Sequence, residues 1–411
     1  MKKYKKIFTS LIFILFITIS LYLGTNFNNE KTYTEDKPKQ IKNENTLSMI
    51  LEQTAGAGDY EMTTVSTWPT DGYLFNKKLS KCTNVGKVSW DDTKKVVTMS
   101  GNTSDKCFVY FDKLPPSKVS DACSSGENLA GCIKTLSDKG DSSNTNIYYH
   151  DLNLTNGAGD NSYRYAGASS SVNNYVCFGS TDATCPTDNL YRIIGVFGDQ
   201  VKLIKSTVAT SALLGTNGDY YSDTKYYWNY KNNTSINDGY GSNTWSTSLL
   251  NKTNLNINYI NNIGSEWASK IAQTTWKVGG NTTSLIRDVV AATAYQNEVG
   301  SSSRSTTYNA KIGLMYVSDY GFAADPAAWT KTLYNYDGSV KSLNWLYLGS
   351  YEWTISRNAD DSFFVFYVYS GGLVYDGTAG ESTAVRPVFY LDKSITYTSG
   401  LGTSTDPFRI N

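Results

Sequence analysis

Four carboxylates near the C-terminal end of the chain are the first candidates for chemistry. Asp360 and Asp361 lie in one polar stretch, and Asp376 and Glu381 lie in the next one. Two carboxylates that flank a glycosidic bond are the catalytic pair of most glycoside hydrolases. Adjacent residues such as Asp360 and Asp361 point to opposite faces of an extended strand, so they are poorly placed to share one reaction. The sequence therefore favours solvated loop acids over a catalytic pair.

The chain offers little else for catalysis. Its single histidine, His150, sits in the strand-like segment YYHDLNL and is predicted to be an ordinary edge-strand residue. A hydrolase triad would need a serine and an acid poised beside it. The sequence contains no GxSxG, HExxH or GxxxxGK[ST] motif, which removes several hydrolase and nucleotide-binding classes. We expect a protein that is not an enzyme.

Aromatic residues precede the polar loops that carry these acids. Exposed tryptophan and tyrosine side chains stack on sugar rings or anchor protein partners, although the same residues at period two also form buried strand faces. Both interpretations are open from sequence. The ligand-binding candidates are Trp345, Tyr347, Tyr351, Trp353, Arg357, Asp360, Asp361, Tyr375, Asp376 and Glu381.

Arg386 has a different setting, because it lies within the apolar run AVRPV. A charged residue flanked by core-type strand residues is expected to be buried and paired with an acid. We predict that Arg386 is a structural brace. Any functional loops should then be residues 356–362 and 376–383.

A metal site has only weak support. Asp138, Asp141, Asn144 and Asn146 are spaced at twos and threes in a glycine-containing loop, loosely like oxygen ligands for calcium. The EF-hand pattern is not met. The sequence predicts no cofactor and no metal, with calcium as the alternative.

The charge balance argues against nucleic acid as a partner. Lys plus Arg equals Asp plus Glu at 37 each, and the interleaving of basic residues with aromatics is too weak for a nucleic-acid-binding surface. The 32 tyrosines suit both β-rich cores and recognition surfaces, because a phenol gives large contact area at little cost in rotamer entropy.

Six cysteines point to disulfides and to an oxidising compartment. They contain no CxxC pair of the kind that zinc sites and thioredoxin motifs use. Among the several possible connectivities, pairing of sequence neighbours is preferred because each bond would then bracket a local hairpin or loop. The predicted bonds are Cys82 with Cys107, Cys123 with Cys132, and Cys177 with Cys185.

The N-terminus predicts a membrane segment. Lys2, Lys3, Lys5 and Lys6 precede a predominantly apolar run from Ile7 to Leu23, which is about long enough to span a bilayer. The lysines should stay inside the cell. An uncleaved, single-pass anchor with the bulk of the chain outside is favoured over a cleaved signal peptide and secretion, since the run lacks an A-x-A-like cleavage site.

The remaining elements indicate a β-rich α+β protein. A polar, lysine-rich stalk precedes a short helix at residues 47–52, a small disulfide-stapled β domain and a boundary at Pro115 and Pro116. Residues 127–137 form a predicted helix, and hairpins are predicted around Gly198 and around Gly371 and Gly372. The predicted organisation is anchor 1–24, stalk 25–45, all-β domain 46–115, helix and linker 116–145, and a mixed domain 146–411.

The mixed domain carries a resemblance. The segments NSYRYAG, NYVCFGS, DNLYRIIGVFG, KIGLMYVSDYGFA, AVRPVFYLD and GLGTSTDPFRI together resemble surface or secreted proteins of Gram-positive gut bacteria. Their C-terminal domain is similar to the C-type-lectin-like fold, which also houses the formylglycine-generating enzyme. The resemblance implies a small twisted sheet that brings the two ends of the domain together, with two helices packed on it.

Departures from that fold's active members narrow the expected function. The Glu-Pro-Asn and Trp-Asn-Asp triplets of calcium-dependent lectins are missing from this sequence. The formylglycine-generating enzyme needs reactive cysteines in this domain, and no cysteine follows Cys185. We expect a non-catalytic, membrane-anchored adhesion protein that binds a glycan or a surface protein through loops. The alternatives are a polysaccharide hydrolase that uses loop carboxylates and a structural subunit of a surface assembly.

Overall fold

The computed structural model describes residues 46–101, 105–231, 239–300 and 306–411. The predicted anchor and stalk lie outside these residues. Within the described ranges, no helix combines the length and the apolar character that a membrane crossing requires. The chain divides into two units, residues 1–115 and 116–411. The predicted β-rich α+β class is confirmed.

The described part of the first unit is built from strands. Its core is formed by Met49, Trp68, Val97, Val109 and Phe111. The sheet order is β2-β1-β7-β3 with β4 also paired to β7, while β5 and β6 form a separate hairpin. The strands are β1 Thr46–Glu52, β2 Tyr60–Met62, β3 Tyr73–Phe75, β4 Lys81–Cys82, β5 Lys87–Asp91, β6 Val96–Ser100 and β7 Lys106–Lys113.

The prediction of a helix at residues 47–52 is wrong. This segment is strand β1, which pairs in parallel with β7 from Thr46 opposite Lys106 to Leu51 opposite Phe111. It also pairs antiparallel with β2. A segment held between two strands gains backbone hydrogen bonds on both sides, and this tertiary pairing outweighs the local helical pattern.

All three predicted disulfides are confirmed. Cys82 bonds to Cys107 and joins β4 to β7, Cys123 bonds to Cys132, and Cys177 bonds to Cys185. Each closes a short stretch of chain, so each restricts the unfolded state locally.

The described part of the second unit contains three main sheets. The largest has the order β18-β23-β12-β11-β9-β8 with β10 beside β11, the second has the order β16-β19-β20-β21, and the third has the order β13-β14-β22. The strands are β8 Ile147–His150, β9 Ser162–Tyr165, β10 Tyr175–Cys177, β11 Leu190–Phe197, β12 Gln200–Lys205, β13 Tyr220–Ser222, β14 Lys225–Tyr227, β15 Thr274–Lys277, β16 Gly279–Asn281, β17 Thr307–Ala310, β18 Ile312–Gly313, β19 Glu352–Asn358, β20 Phe364–Val368, β21 Val374–Thr378, β22 Ser382–Thr383, β23 Val388–Tyr390, β24 Tyr397–Ser399 and β25 Arg409–Ile410.

Short helices connect these strands. The α-helices are α1 Val119–Ala122, α2 Leu129–Lys139, α3 Ser142–Thr145, α4 Ser211–Leu214, α5 Ile260–Asn262, α6 Ser265–Ser269, α7 Thr283–Ile286, α8 Ala291–Glu298 and α9 Val317–Phe322. A π-helix spans Leu250–Tyr259, and 3-10 turns span Thr187–Asn189, Pro326–Ala328, Leu333–Asn335 and Lys341–Leu343.

Both predicted hairpins are confirmed. Strands β11 and β12 pair antiparallel around Gly198, whose φ of 58° lies in the left-handed region that glycine adopts without strain. Strands β20 and β21 pair antiparallel across the Gly371 and Gly372 turn. The predicted helix at residues 127–137 is also present as α2, where Asn128 caps the first turn by accepting a hydrogen bond from the Gly131 amide.

The two ends of the second unit meet beside α2. The Gly126 amide donates to the Tyr397 carbonyl, the Leu129 amide donates to the Ile395 carbonyl, and the Tyr397 amide donates to the Glu127 carbonyl. Strand β10 likewise bridges to Phe408. Segments that are far apart in sequence are thus joined by backbone bonds.

Asparagines at four-residue spacing hold the π-helix region to α4. Asn254 and Asn258 both donate from Nδ2 to the Leu214 carbonyl at 2.8 Å, and Asn262 donates to the Leu213 carbonyl at 2.9 Å. The last carbonyls of a helix have no partner within the helix. Here side-chain amides supply those partners.

A buried ionic network crosses the core. Arg164 contacts Asp160 at 2.7 Å and Asp319 at 3.5 Å, and the Lys202 ammonium contacts Asp319 at 2.5 Å. Nearby, Glu298 accepts hydrogen bonds from the backbone amides at the start of α9 and from a serine hydroxyl of β19. Burial raises the pKa of Glu298 and lowers the pKa of Lys202. The network ties β9, β12, α8, α9 and β19 together.

We predict that Asp160 stabilises the fold only above acidic pH. Burial alone would raise its pKa, but Arg164 and hydrogen bonds from Ser162 and Tyr295 lower the pKa to about 2. Because the folded-state pKa lies below the ordinary Asp value, the stabilisation is complete above about pH 4 and is lost as pH falls toward about 2. Asp160→Asn should lower the free energy of unfolding by about 2 kcal/mol at neutral pH.

Chemical denaturation across the acid range measures this effect. The difference between wild type and Asp160→Asn should shrink as the pH falls, whereas Asn substitution of the exposed Asp337 should leave stability unchanged at every pH. A difference that stays constant with pH would contradict the assignment.

Candidate ligand-binding site

The two tryptophans among the candidates are core residues. Trp345 is 2% exposed and Trp353 is fully buried. Their indole Nε1 atoms donate to the backbone carbonyls of Tyr165 and Tyr226, at 2.8 and 2.9 Å. Their rings are enclosed and their polar atoms are already satisfied, so the structure favours the core-packing interpretation of these two residues.

Tyr347 and Tyr351 have separate roles. The partly buried Tyr347 donates its hydroxyl to the Ser370 carbonyl at 2.5 Å and so fixes the turn between β20 and β21. Tyr351 is 41% exposed and packs edge-on against Tyr369, with ring centroids 4.7 Å apart. Tyr351 is therefore the aromatic candidate from this segment that solvent reaches.

The first acidic loop is held by local bonds. The Asp361 carboxylate accepts from the Phe363 amide at 3.1 Å, and the Asp360 amide donates to Asn358 Oδ1 at 2.9 Å. Asn243 donates to the Asp361 carbonyl at 2.7 Å. Arg357, on β19, is half-buried, and burial lowers its pKa. These contacts shape the turn between β19 and β20.

The acids of the second polar stretch, Asp376 and Glu381, have different surroundings. Asp376 accepts from Arg287 Nη1 at 3.0 Å and from the Thr283 hydroxyl at 3.1 Å. The Arg287 guanidinium also lies over the Tyr375 ring, 5.1 Å from its centroid. Glu381 is exposed instead and lies near Gly377.

Arg386 is buried at 1% exposure and bonds to Glu352 through two contacts. Its Nε donates to Glu352 Oε1 at 2.6 Å, and its Nη2 donates to Oε2 at 2.8 Å and to the Leu346 carbonyl at 2.7 Å. This bidentate geometry matches a planar guanidinium to a carboxylate. The pair joins the start of β19 to the segment between β22 and β23.

Residues proposed for calcium are engaged with backbone groups. Asp141 caps α3 by accepting from the Ser143 amide at 2.9 Å. Asn146 has a φ of 57° and donates to the Ser171 carbonyl at 3.1 Å. These two side chains therefore organise the turn that leads into β8.

An open groove of about 750 Å³ lies between the β13-β14-β22 sheet and residues 349–351. Three tyrosines line it, and two of them, Tyr221 and Tyr351, are 56% and 41% exposed. The third, Tyr227, packs edge-on against Tyr221 with centroids 5.5 Å apart. The groove thus offers aromatic surface on both of its walls.

Charged and hydroxyl groups complete the lining of the groove. Lys225 and Glu381 contribute exposed charges of opposite sign, and Ser350, Ser382 and Thr383 contribute hydroxyls. The Ser350 hydroxyl is buried and has no hydrogen-bond partner among the described residues. Aromatic faces with a few convergent polar groups are typical of a small-molecule or carbohydrate site.

A buried carboxylate supports one wall of the groove. Asp219 accepts hydrogen bonds from the Tyr230, Lys231 and Leu250 amides, at 3.0, 2.8 and 3.0 Å. The Tyr227 amide in turn donates to the Asp219 carbonyl. The wall is therefore fixed to the beginning of the π-helix.

Part of this site is predicted by the sequence. Two predicted residues, Tyr351 and Glu381, lie in one groove, and two others, Tyr375 and Asp376, lie together beside Arg287. The segment 220–227 is not among the predicted residues. The signal was present as two tyrosine pairs that flank the turn SDTK, a pattern typical of a hairpin with aromatic residues on both strands.

Comparisons with protein-family models, with curated proteins and with solved structures find no match for this chain.

We predict that the Arg386 and Glu352 pair is required for stability. Arg386→Met should lower the free energy of unfolding by about 3–5 kcal/mol, because it leaves the Glu352 carboxylate buried without its partner. Replacing both residues, as Glu352→Met with Arg386→Met, should recover most of this loss. Chemical denaturation at neutral pH measures both variants. A single variant as stable as the wild type would show that the pair does not brace the fold.

Proposed function

We propose that this chain is a membrane-anchored, extracellular glycan-binding protein that acts without catalysis. The observation that carries the proposal is the groove, where tyrosines on two walls surround hydroxyl, cationic and anionic groups. Tyrosine faces suit the C–H faces of sugar rings, and the polar groups suit sugar hydroxyls. A tyrosine side chain has few rotatable bonds, so it loses little conformational entropy when it contacts a ligand, which favours it at such a site.

Two features support the proposed location. Disulfides persist in oxidising compartments, and the described chain contains three of them. Residues 1–24 supply the proposed single-pass anchor, with the lysines inside the cell and the rest of the chain outside. Cleavage of this segment would instead give a secreted protein with the same binding unit.

The second unit is proposed to have a lectin-like fold, as in surface proteins of Gram-positive gut bacteria. The joined ends of the unit beside α2 and its combination of sheets with short helices support this assignment. The groove lies between the small β13-β14-β22 sheet and residues 349–351, where such a scaffold would present a ligand site.

Binding is favoured over hydrolysis by the placement of the acids. The predicted pair would have to face each other across a substrate. Asp376 instead bonds to Arg287 and Thr283, whereas Glu381 lines the groove. This arrangement suits Glu381 to accept hydrogen bonds from sugar hydroxyls.

Substitution of the groove tyrosines tests the proposal. On a broad glycan array the wild-type ectodomain should bind a defined set of glycans, and Tyr351→Ala or Tyr227→Ala should weaken binding about tenfold, which is about 1.4 kcal/mol. The matched control is Tyr149→Ala, since Tyr149 on β8 is 38% exposed and does not line the groove. Titration calorimetry with the best glycan measures the affinities.

Two results would contradict the proposal. One is the absence of binding to any glycan together with capture of a defined surface protein, which would indicate a protein ligand or a structural subunit. The other is equal affinity of wild type and both groove variants.

A further inference from the structure

A stripe of tyrosines leads away from the groove across the second sheet. Along it, Tyr351 lies 5.8 Å from Tyr367, Tyr367 lies 6.2 Å from Tyr375, and Tyr375 lies 6.2 Å from Tyr334, measured between ring centroids. We call this set of four residues the tyrosine stripe. It begins at a groove residue and ends beyond the edge strand β21.

Strand register explains why these rings share one face. Tyr367 on β20 lies directly opposite Tyr375 on β21 and opposite Trp353 on β19. Directly opposed residues of antiparallel strands project to the same face, and so do residues two apart on one strand. Tyr351 directly precedes β19, and the contact of its ring with that of Tyr367 places it beside the same face.

Three members of the stripe are open to solvent. Tyr351, Tyr375 and Tyr334 are 41%, 39% and 43% exposed, whereas Tyr367 is 6% exposed and lies between its neighbours. A Cβ at Gly377 would lie 2.8 Å from the Tyr367 ring and 2.9 Å from Glu381 Oε2. The glycine thus lets Glu381 and Tyr367 approach each other, and it connects the groove to the stripe.

Polar groups accompany the far end of the stripe. The Arg287 guanidinium lies 4.8 Å from the Tyr334 ring centroid and 5.1 Å from that of Tyr375. Asp376 and Asp288 hold it there, at 3.0 and 2.8 Å. The far end therefore repeats the groove's chemistry, with aromatic faces beside charged hydrogen-bonding groups.

We infer that the stripe is a row of further sugar subsites and that the ligand is a linear polysaccharide rather than a single terminal sugar. This inference rests on the proposed function, because it extends the same site. Each step between rings is comparable to one sugar ring, so a continuous chain can follow the row. A chain of equatorially substituted rings presents apolar faces to the three exposed rings, those of Tyr351, Tyr375 and Tyr334, and its hydroxyls reach Glu381 near the groove and Arg287 at the end.

The inference is tested by comparing the affinities of short and long oligosaccharides. The probes are the disaccharide and the hexasaccharide of the cellulose and chitin series, titrated against the ectodomain by calorimetry. In the series that binds, wild type should bind the hexasaccharide at least about tenfold more tightly than the disaccharide. The double variant Tyr334→Ala with Tyr375→Ala should lose this gain and retain wild-type affinity for the disaccharide, while Tyr351→Ala should weaken both.

Controls separate loss of contact from loss of folding. The double variant Tyr334→Phe with Tyr375→Phe keeps both rings and should keep the length-dependent gain. All variants should retain the thermal midpoint of the wild type, because the substituted rings are partly exposed.

Each alternative outcome is informative. Equal affinity for the two lengths would overturn the inference and leave the glycan-binding proposal intact. Equal weakening of both lengths by the double alanine variant would also overturn it, and so would binding of neither series. In that last case the glycan array decides the broader proposal separately.

Discussion

The bidentate pair between Arg386 and Glu352 is the contact on which the candidate groove depends. Glu352 directly follows Tyr351, and Arg386 also holds the Leu346 carbonyl, so one buried guanidinium positions both ends of the segment 346–352. Backbone bonds complete the arrangement, since the Ala384 amide donates to the Tyr351 carbonyl and the Trp353 amide donates to the Ala384 carbonyl. These bonds join the segment that carries Tyr351 to the segment that carries Ala384, and both segments line the groove. A buried ion pair is costly unless it is fully satisfied, and here every contact of the guanidinium serves to place the loop.

Local pattern predicted much of the fold. The hairpins at Gly198 and at Gly371 and Gly372 follow from turn chemistry, α2 follows from helical spacing with a cap at Asn128, and the disulfides follow from sequence proximity. The prediction of a helix at residues 47–52 is wrong because the conformation of this segment is set by β7, which lies far away in sequence. Such pairing leaves no trace in the local pattern.

The candidate site was only partly predictable for a similar reason. Period two identified strand faces rich in aromatic residues but could not say how much of each face is covered. Trp353 and Tyr351 are only two residues apart, yet Trp353 is buried and Tyr351 is 41% exposed. Trp353 is enclosed beneath β14, to which its indole is bonded, whereas Tyr351 lies at the rim. The groove itself is assembled from residues 221–227, 349–351 and 380–384, and only the folded chain brings these segments together.

The carboxylate of Asp219 has a consequence for how a ligand would be received. Three backbone amides from two separate segments converge on this one buried side chain, so the wall that carries Tyr221 and Tyr227 is anchored before any ligand arrives. A site whose shape is set in advance loses little conformational freedom on association. Encounter with a ligand should then resemble docking onto a rigid template, with the same groove shape in the free and occupied protein.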